Sequence, residues 1–219
     1  MRSLLPIIWI TGWIEYLPRH GLGFFDLVVS TGVLHHLKSP EDGLKVLNDI
    51  QLENGGAEFL VYGHFGRTGV YQIQSLMHNI NQQVHAMSKE IDYASAILEI
   101  LPRKHWFHYS ENSDLSTMGN VGIYDLLLHK RDVSYSIPDL YEWLENSGYS
   151  LVEFAIQEDG MKVSLKHLKL NALKSLFKKL IKTSIHKQQT IGEIISGNIS
   201  KQDVYVCKSG CPKVNTRSN

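Results

Sequence analysis

The chain has 219 residues, 43% of them apolar and 20% charged, and its formal net charge is zero. Those values suit a folded domain with a real core and argue against global disorder. A balanced charge gives no overall pull toward nucleic acid or membrane, and two cysteines, Cys207 and Cys211, cannot staple the body of the fold, so a reducing, cytoplasmic setting is the simpler expectation.

Leu4 to Ile14 is apolar and follows Arg2, a loose imitation of a signal peptide. Pro6 and Gly12 interrupt it, it is too short to span a bilayer, and no small-x-small cleavage site follows. A buried strand centred on Ile7-Ile8-Trp9-Ile10 is expected instead. Phe24 to Ser30 is a β-rich run preceded by Gly21 and Gly23. Ser39-Pro40-Glu41-Asp42 then opens a helix, with serine as N-cap, proline in the first turn and two acids at the positive end of the dipole. Its apolar stripe is read through Leu44, Leu47 and Ile50 to Leu52, and Asn54-Gly55-Gly56 is read as its stop. Phe59 to Tyr62 follows as a strand, which completes a parallel strand–helix–strand crossover.

Val70 to Leu101 reads as mostly helical, up to Pro102. A polar, aromatic loop is expected from Arg103 to Asn120, and Gly122 to His129 as a further helix or an ordered crossing. Ser136-Ile137-Pro138-Asp139 opens a helix that buries Leu140, Trp143 and Leu144 and ends at Ser147-Gly148. Tyr149 to Ile156 and Asp203 to Cys207 read as the last strands. Asp132 to Asp159 carries seven acids and no Lys or Arg, whereas Met161 to Lys187 carries eight lysines and no acid. The lysines, Lys162 to Lys187, interleave with leucines at helical spacing. That pattern suits a helix with one solvated face, and alternatively a basic surface for RNA or an acidic partner.

Ligands in an open parallel α/β sheet bind beyond the carboxyl ends of the strands. Thr31, Gly32, His35 and His36 follow the first readable strand and stand where chemistry would be. Adjacent histidines point in different directions and no third ligand is set by spacing, so no metal site is expected.

The segment FDLVVSTGVLHHLKSPEDGLKVL resembles the fourth strand and following loop of class I S-adenosylmethionine-dependent methyltransferases, and GGAEFLVYGHFGRTGVYQIQ resembles the fifth strand and its loop. GIYDLLLHKRD, the helix at Pro138 and GEIISGNI are similar to a subgroup with a helical cap. The resemblance runs from about Gly12 to Lys208. It implies a partial Rossmann-like α/β sheet over 1–66, a helical cap over 67–135, and the C-terminal part of the sheet over 136–208. That last part holds a lysine-rich helical insertion at 161–200, and a disordered tail follows at 209–219.

The resemblance implies S-adenosylmethionine contacts at Trp13, Ile14, Ser30, Thr31, Gly32 and Val33. It places His35 and His36 at the methyl-transfer pocket or in fixing its loop, and Tyr62, Arg67, Tyr71 and Tyr124 facing a substrate. Asp125 would orient a nucleophile or act as a base, or else cap a helix or join an internal salt bridge. Arg67 would hold an anionic group or pair with a local acid. The family's D/E-x-G-x-G-x-G loop has no match: Gly21-Leu22-Gly23 is too short and precedes the wrong strand. The expectation is a truncated methyltransferase whose activity as this chain is doubtful. The alternative is a non-catalytic module of the same descent that associates through an exposed sheet edge.

Overall fold

The computed structural model describes residues 11–84, 86–109, 115–155 and 178–211 (115–118 by their backbone). A seven-residue 3-10 helix, Ile14–His20, leads through Gly21 at φ +61° to β1 (Phe25–Thr31). There follow α1 (Pro40–Asp49), β2 (Gln51–Gly63), α2 (Thr68–Ile80), α3 (Met87–Ile100) and α4 (Leu115–Ile123). α4 runs into a π-helical turn, Tyr124–Leu128. Then come β3 (Ser134–Tyr135), α5 (Ile137–Asn146), β4 (Tyr149–Phe154), α6 (Ile185–Ser196) and β5 (Lys201–Lys208).

The sheet order is β1-β2-β5-β4, and β3 pairs with β2. β1, β2 and β3 are parallel, and β5 runs antiparallel to both of its neighbours. An open sheet with helices and an antiparallel pair at one edge is Rossmann-like α/β. β1 pairs with β2 as far as Leu60, and β3 takes over at Tyr62 and Gly63. β5 already occupies the far side of Tyr62, so β3 lies in line with β1, beyond its end.

Two apolar clusters hold the molecule together. In the first, Val28, Phe59, Val61, Val204 and Val206 meet Leu44 and Leu47 of α1 and Leu140, Trp143 and Leu144 of α5. The second joins Val70, Ile73 and Met77 of α2 to Ile91, Ala94 and Leu98 of α3, with Phe107 and Leu127. The serine caps behave as their sequence demands. Ser39 Oγ accepts from Asp42 N–H, and Ser136 and Asp139 form a reciprocal capping box.

Several boundaries differ from expectation. α1 stops at Asp49, and Gln51 and Leu52 begin β2. Gln51 is buried, and its Oε1 accepts from the Tyr149 hydroxyl at 3.0 Å. Strand pairing gives these backbones partners that a further helical turn would not. Asn54-Gly55-Gly56 therefore lies inside β2 rather than ending a helix. Pairing shifts there from Phe25↔Gln51 to Leu27↔Gly56, and a Cβ on Gly55 would stand 2.9 Å from the Asp26 carbonyl oxygen. Glycine is needed for that approach. Within Arg103 to Asn120, expected as a loop, Trp106–Tyr109 forms a 3-10 turn and α4 begins at Leu115.

In the expected tail, Ser209 N–H donates to the Gly148 carbonyl and Cys211 N–H to the Lys208 carbonyl, so residues 209–211 form a turn. The expected strand at Ile7 to Ile10, most of the lysine-rich stretch (Lys162, Lys166, Lys169, Lys174) and residues 212–219 lie outside the described residues. Lys178, Lys179, Lys182 and Lys187 are exposed. Among the described residues no helix is long and apolar enough to cross a membrane.

One buried charge sits at the start of α5. Glu193 of α6 is fully buried, and its carboxylate accepts from the Ile137 backbone N–H at 2.8 Å and from Gln202 Nε2 at 2.9 Å. Burial pushes its pKa up to about 7, against the downward pull of those two hydrogen bonds.

Candidate functional site

The site forms where β1 ends and β3 begins. Ser30 is the last buried residue of β1, and Thr31 already faces solvent. Gly32 turns the chain at φ +71°, a conformation that favours glycine, and a Cβ built there would meet nothing within 4 Å. Val33 is exposed, and Leu34–His36 makes one 3-10 turn. Leu34 enters the main core, which fixes the two histidines that follow it.

His35 is fully buried. Its ring lies 3.8 Å from the Tyr62 ring and 4.3 Å from that of His36. Among the described residues neither ring nitrogen has a hydrogen-bond partner. Burial, reinforced by His36 and opposed by Asp132, lowers its pKa to about 3, so it is a neutral imidazole. His36 is half-buried, and its Nδ1–H donates to the Arg131 carbonyl at 2.8 Å. That bond leaves Nε2 as the acceptor nitrogen. The ring of His129 lies 4.1 Å from that of His36.

Behind the histidines stands a buried ion pair. Arg67 is 1% exposed and Asp132 3%, with Nη2 and Oδ2 2.6 Å apart. The guanidinium lies 3.5 Å over the Tyr62 ring, and its Nε–H donates to the Tyr71 hydroxyl at 3.3 Å. Gln74 Nε2 donates to the same Asp132 oxygen at 2.7 Å and to the Leu126 carbonyl at 2.8 Å. Burial raises the pKa values of Tyr62 and Tyr71, so both phenols stay protonated. Arg67 thus ties α2 to the segment before β3, and its charge is already matched.

The structure brings His35, His36, Tyr62, Arg67 and Tyr71 into one cluster, with Ser30, Thr31, Gly32 and Val33 leading into it. Trp13 is 72% exposed, and Ile14 packs against the main core on the turn beside α1. Tyr124 packs against the second apolar cluster, and Asp125 is exposed on the π-helical turn. The cluster also holds Gln74, His129 and Asp132, which sequence reasoning did not select. The only signal for Asp132 was general: a buried arginine needs a carboxylate. Among the described residues no group of three or more His, Cys, Asp or Glu side chains is placed to hold a metal ion.

No family model matches the chain. An uncharacterized protein of Synechococcus sp. is 25% identical over 136 residues, which cover 61% of this chain and 33% of that protein. PKMT2 from Rickettsia typhi superposes with a TM-score of 0.64 at 16% identity, over 90% of this chain and 37% of that one. The same protein solved in complex with AdoHcy gives 0.68 at 15% identity, over 94% and 40%. The chain therefore spans a third to two fifths of the length of these relatives, and it shares the fold of the matching part of PKMT2.

Proposed function

We propose that the chain carries the acceptor-side part of an S-adenosylmethionine-dependent methyltransferase. The observation that carries this reading is the position of the histidine loop. It stands at the carboxyl ends of parallel strands, in a fold shared with a protein solved with AdoHcy. Thr31, Gly32 and Val33 would hold the cofactor, because the open space at Gly32 admits a ligand against the backbone. Trp13 and Ile14 are the candidates for its adenine end. When bound, S-adenosylmethionine supplies a sulfonium-activated methyl group and is left as the neutral thioether.

The chain's own residues then have distinct tasks. His35, neutral and wedged against Tyr62, shapes the pocket wall and donates no charge to it. His36 presents Nε2 as the proton acceptor for a nucleophile that must lose a proton, with its tautomer set by the Arg131 carbonyl. Asp125, on the exposed side of the π-helical turn, is the alternative base. Calorimetric titration of the folded chain with S-adenosylhomocysteine tests the reading. Micromolar binding is expected, weakened at least about tenfold by Gly32→Val, because the branched side chain resists a positive φ. A folded chain that takes up no heat would remove this loop as a cofactor site in the chain alone.

A second reading is favoured by one observation. Among the described residues β1 pairs only with β2, and it exposes Leu27 (61%) and Val29 (55%). An open strand edge beside an exposed apolar sheet face invites another strand. On this reading the chain is a non-catalytic partner module. Sedimentation should show self-association or complex formation that the double change Leu27→Lys, Val29→Lys abolishes. A strictly monomeric wild-type chain that recruits no partner would end it.

A further inference from the structure

A cavity of about 570 Å³ opens in the cap between α2, α3 and the π-helical turn. Three of its lining residues, Tyr71, Gln74 and His129, also belong to the cluster at the end of β1. The cavity and the histidine loop therefore share a wall. Its size is that of a site for a small molecule.

The polar groups facing this space are poorly matched among themselves. Glu90 and Lys130 both line it, and neither makes an ion pair among the described residues. Oδ1 of Asn81, another lining residue, is buried and has no hydrogen-bond partner among the described residues. His78 and His129 each add an imidazole to the lining. An unfilled packing defect would be apolar; this cavity carries one carboxylate, one ammonium and an orphaned acceptor. Arg67 cannot serve as the anion-holding group, because Asp132 already matches it.

We infer that the cavity binds a small zwitterion, a molecule of amino-acid size with an ammonium and a carboxylate. Glu90 and the Asn81 carbonyl take the ammonium, and Lys130, with the imidazoles of His78 and His129, takes the carboxylate. A simple anion would leave Glu90 opposed to it and Asn81 unmet. A simple cation would face Lys130 in the same way. On the methyltransferase reading, on which this rests, the zwitterion is the methyl acceptor, held beside His36 by the wall it shares with His129.

The test follows the His78 and His129 ring protons by NMR in the full chain, without cofactor. Norleucine and γ-aminobutyrate serve as zwitterions of two spacings, and butyrate and butylamine as single-charge controls. At least one zwitterion should shift both histidines saturably, with a Kd about tenfold or more below either control. Glu90→Gln and Lys130→Met should each remove that preference. Equal binding by a control, a preference that survives either substitution, or no saturable shift with any probe up to about 10 mM would overturn the inference. Because no cofactor is present, such a failure leaves the S-adenosylhomocysteine result untouched.

Discussion

Replacing Asp132 by alanine is expected to cost about 3–5 kcal/mol of stability, the loss seen when one partner of a buried ion pair is removed. Both side chains are almost fully buried and lie 2.6 Å apart. The substitution strands the Arg67 guanidinium, and it takes from Gln74 its side-chain acceptor. Tyr62 and Tyr71 cannot compensate, since a ring face and a phenol hydroxyl supply no charge. Urea midpoints followed by tryptophan fluorescence give the measurement. The paired change Arg67→Met, Asp132→Leu should recover most of the loss, because no charge then needs a partner. A single Asp132→Ala variant within about 1 kcal/mol of wild type would mean that the pair is wetter and weaker than its burial indicates. The histidine loop should respond as well, since Val133 N–H, next in the chain, donates to the His35 carbonyl.

The second large effect is a stability profile made of two opposing slopes. Glu193 has a folded pKa of about 7 against an ordinary 4.5. The folded state holds its proton in that window and the unfolded state does not, so its contribution is full below about 4.5 and is lost as pH rises through about 7. His35 has a folded pKa of about 3 against 6.5. There the unfolded state binds the proton, so its contribution is full above about 6.5 and is lost as pH falls toward 3. Between pH 4.5 and 6.5 the two slopes cancel.

Each contribution changes by about 2 kcal/mol over that interval, the slope reaching at most about 1.4 kcal/mol per pH unit. Relative to wild type, Glu193→Gln should gain stability as pH rises across it, and His35→Phe should lose it. The amide keeps one acceptor for the Ile137 or Gln202 donor, and phenylalanine fills a site where the imidazole makes no hydrogen bond. Denaturant midpoints at several pH values, taken as differences from wild type, isolate these two groups from the other titrating side chains. Parallel profiles for all three proteins would show that neither group titrates differently in the two states.

The comparison of sequence and structure turns on particular elements. The parallel crossover from β1 through α1 to β2 was legible because its signals are local. The Ser39 cap, the proline in the first turn and the β-branched run of β1 act within a few residues of themselves. The same holds for the capping box at Ser136 and for the buried face of α5. Gly32 was legible as a turn at a strand end, and the position of the histidines followed from it. By contrast, Asn54-Gly55-Gly56 carries the local signature of a helix stop and does something else. Its glycines let β2 pass close to Asp26, a requirement set by a strand 29 residues earlier in the pairing Leu27↔Gly56.

The sequence by itself determined the α/β class, the order of most elements and the place of the histidine loop, because periodicity and capping are short-range physics. Only the tertiary structure decided what those residues do together. It buried Arg67 and so obliged Asp132, 65 positions away, to neutralise it. It set the His129 ring against His36, left His35 neutral against the His36 and Tyr62 rings, and placed Glu90 and Lys130 on one cavity with no ion pair for either among the described residues. Each of these depends on contacts between distant segments, whose energies come from desolvation and Coulomb interaction in a packed interior. No local pattern along the chain encodes them.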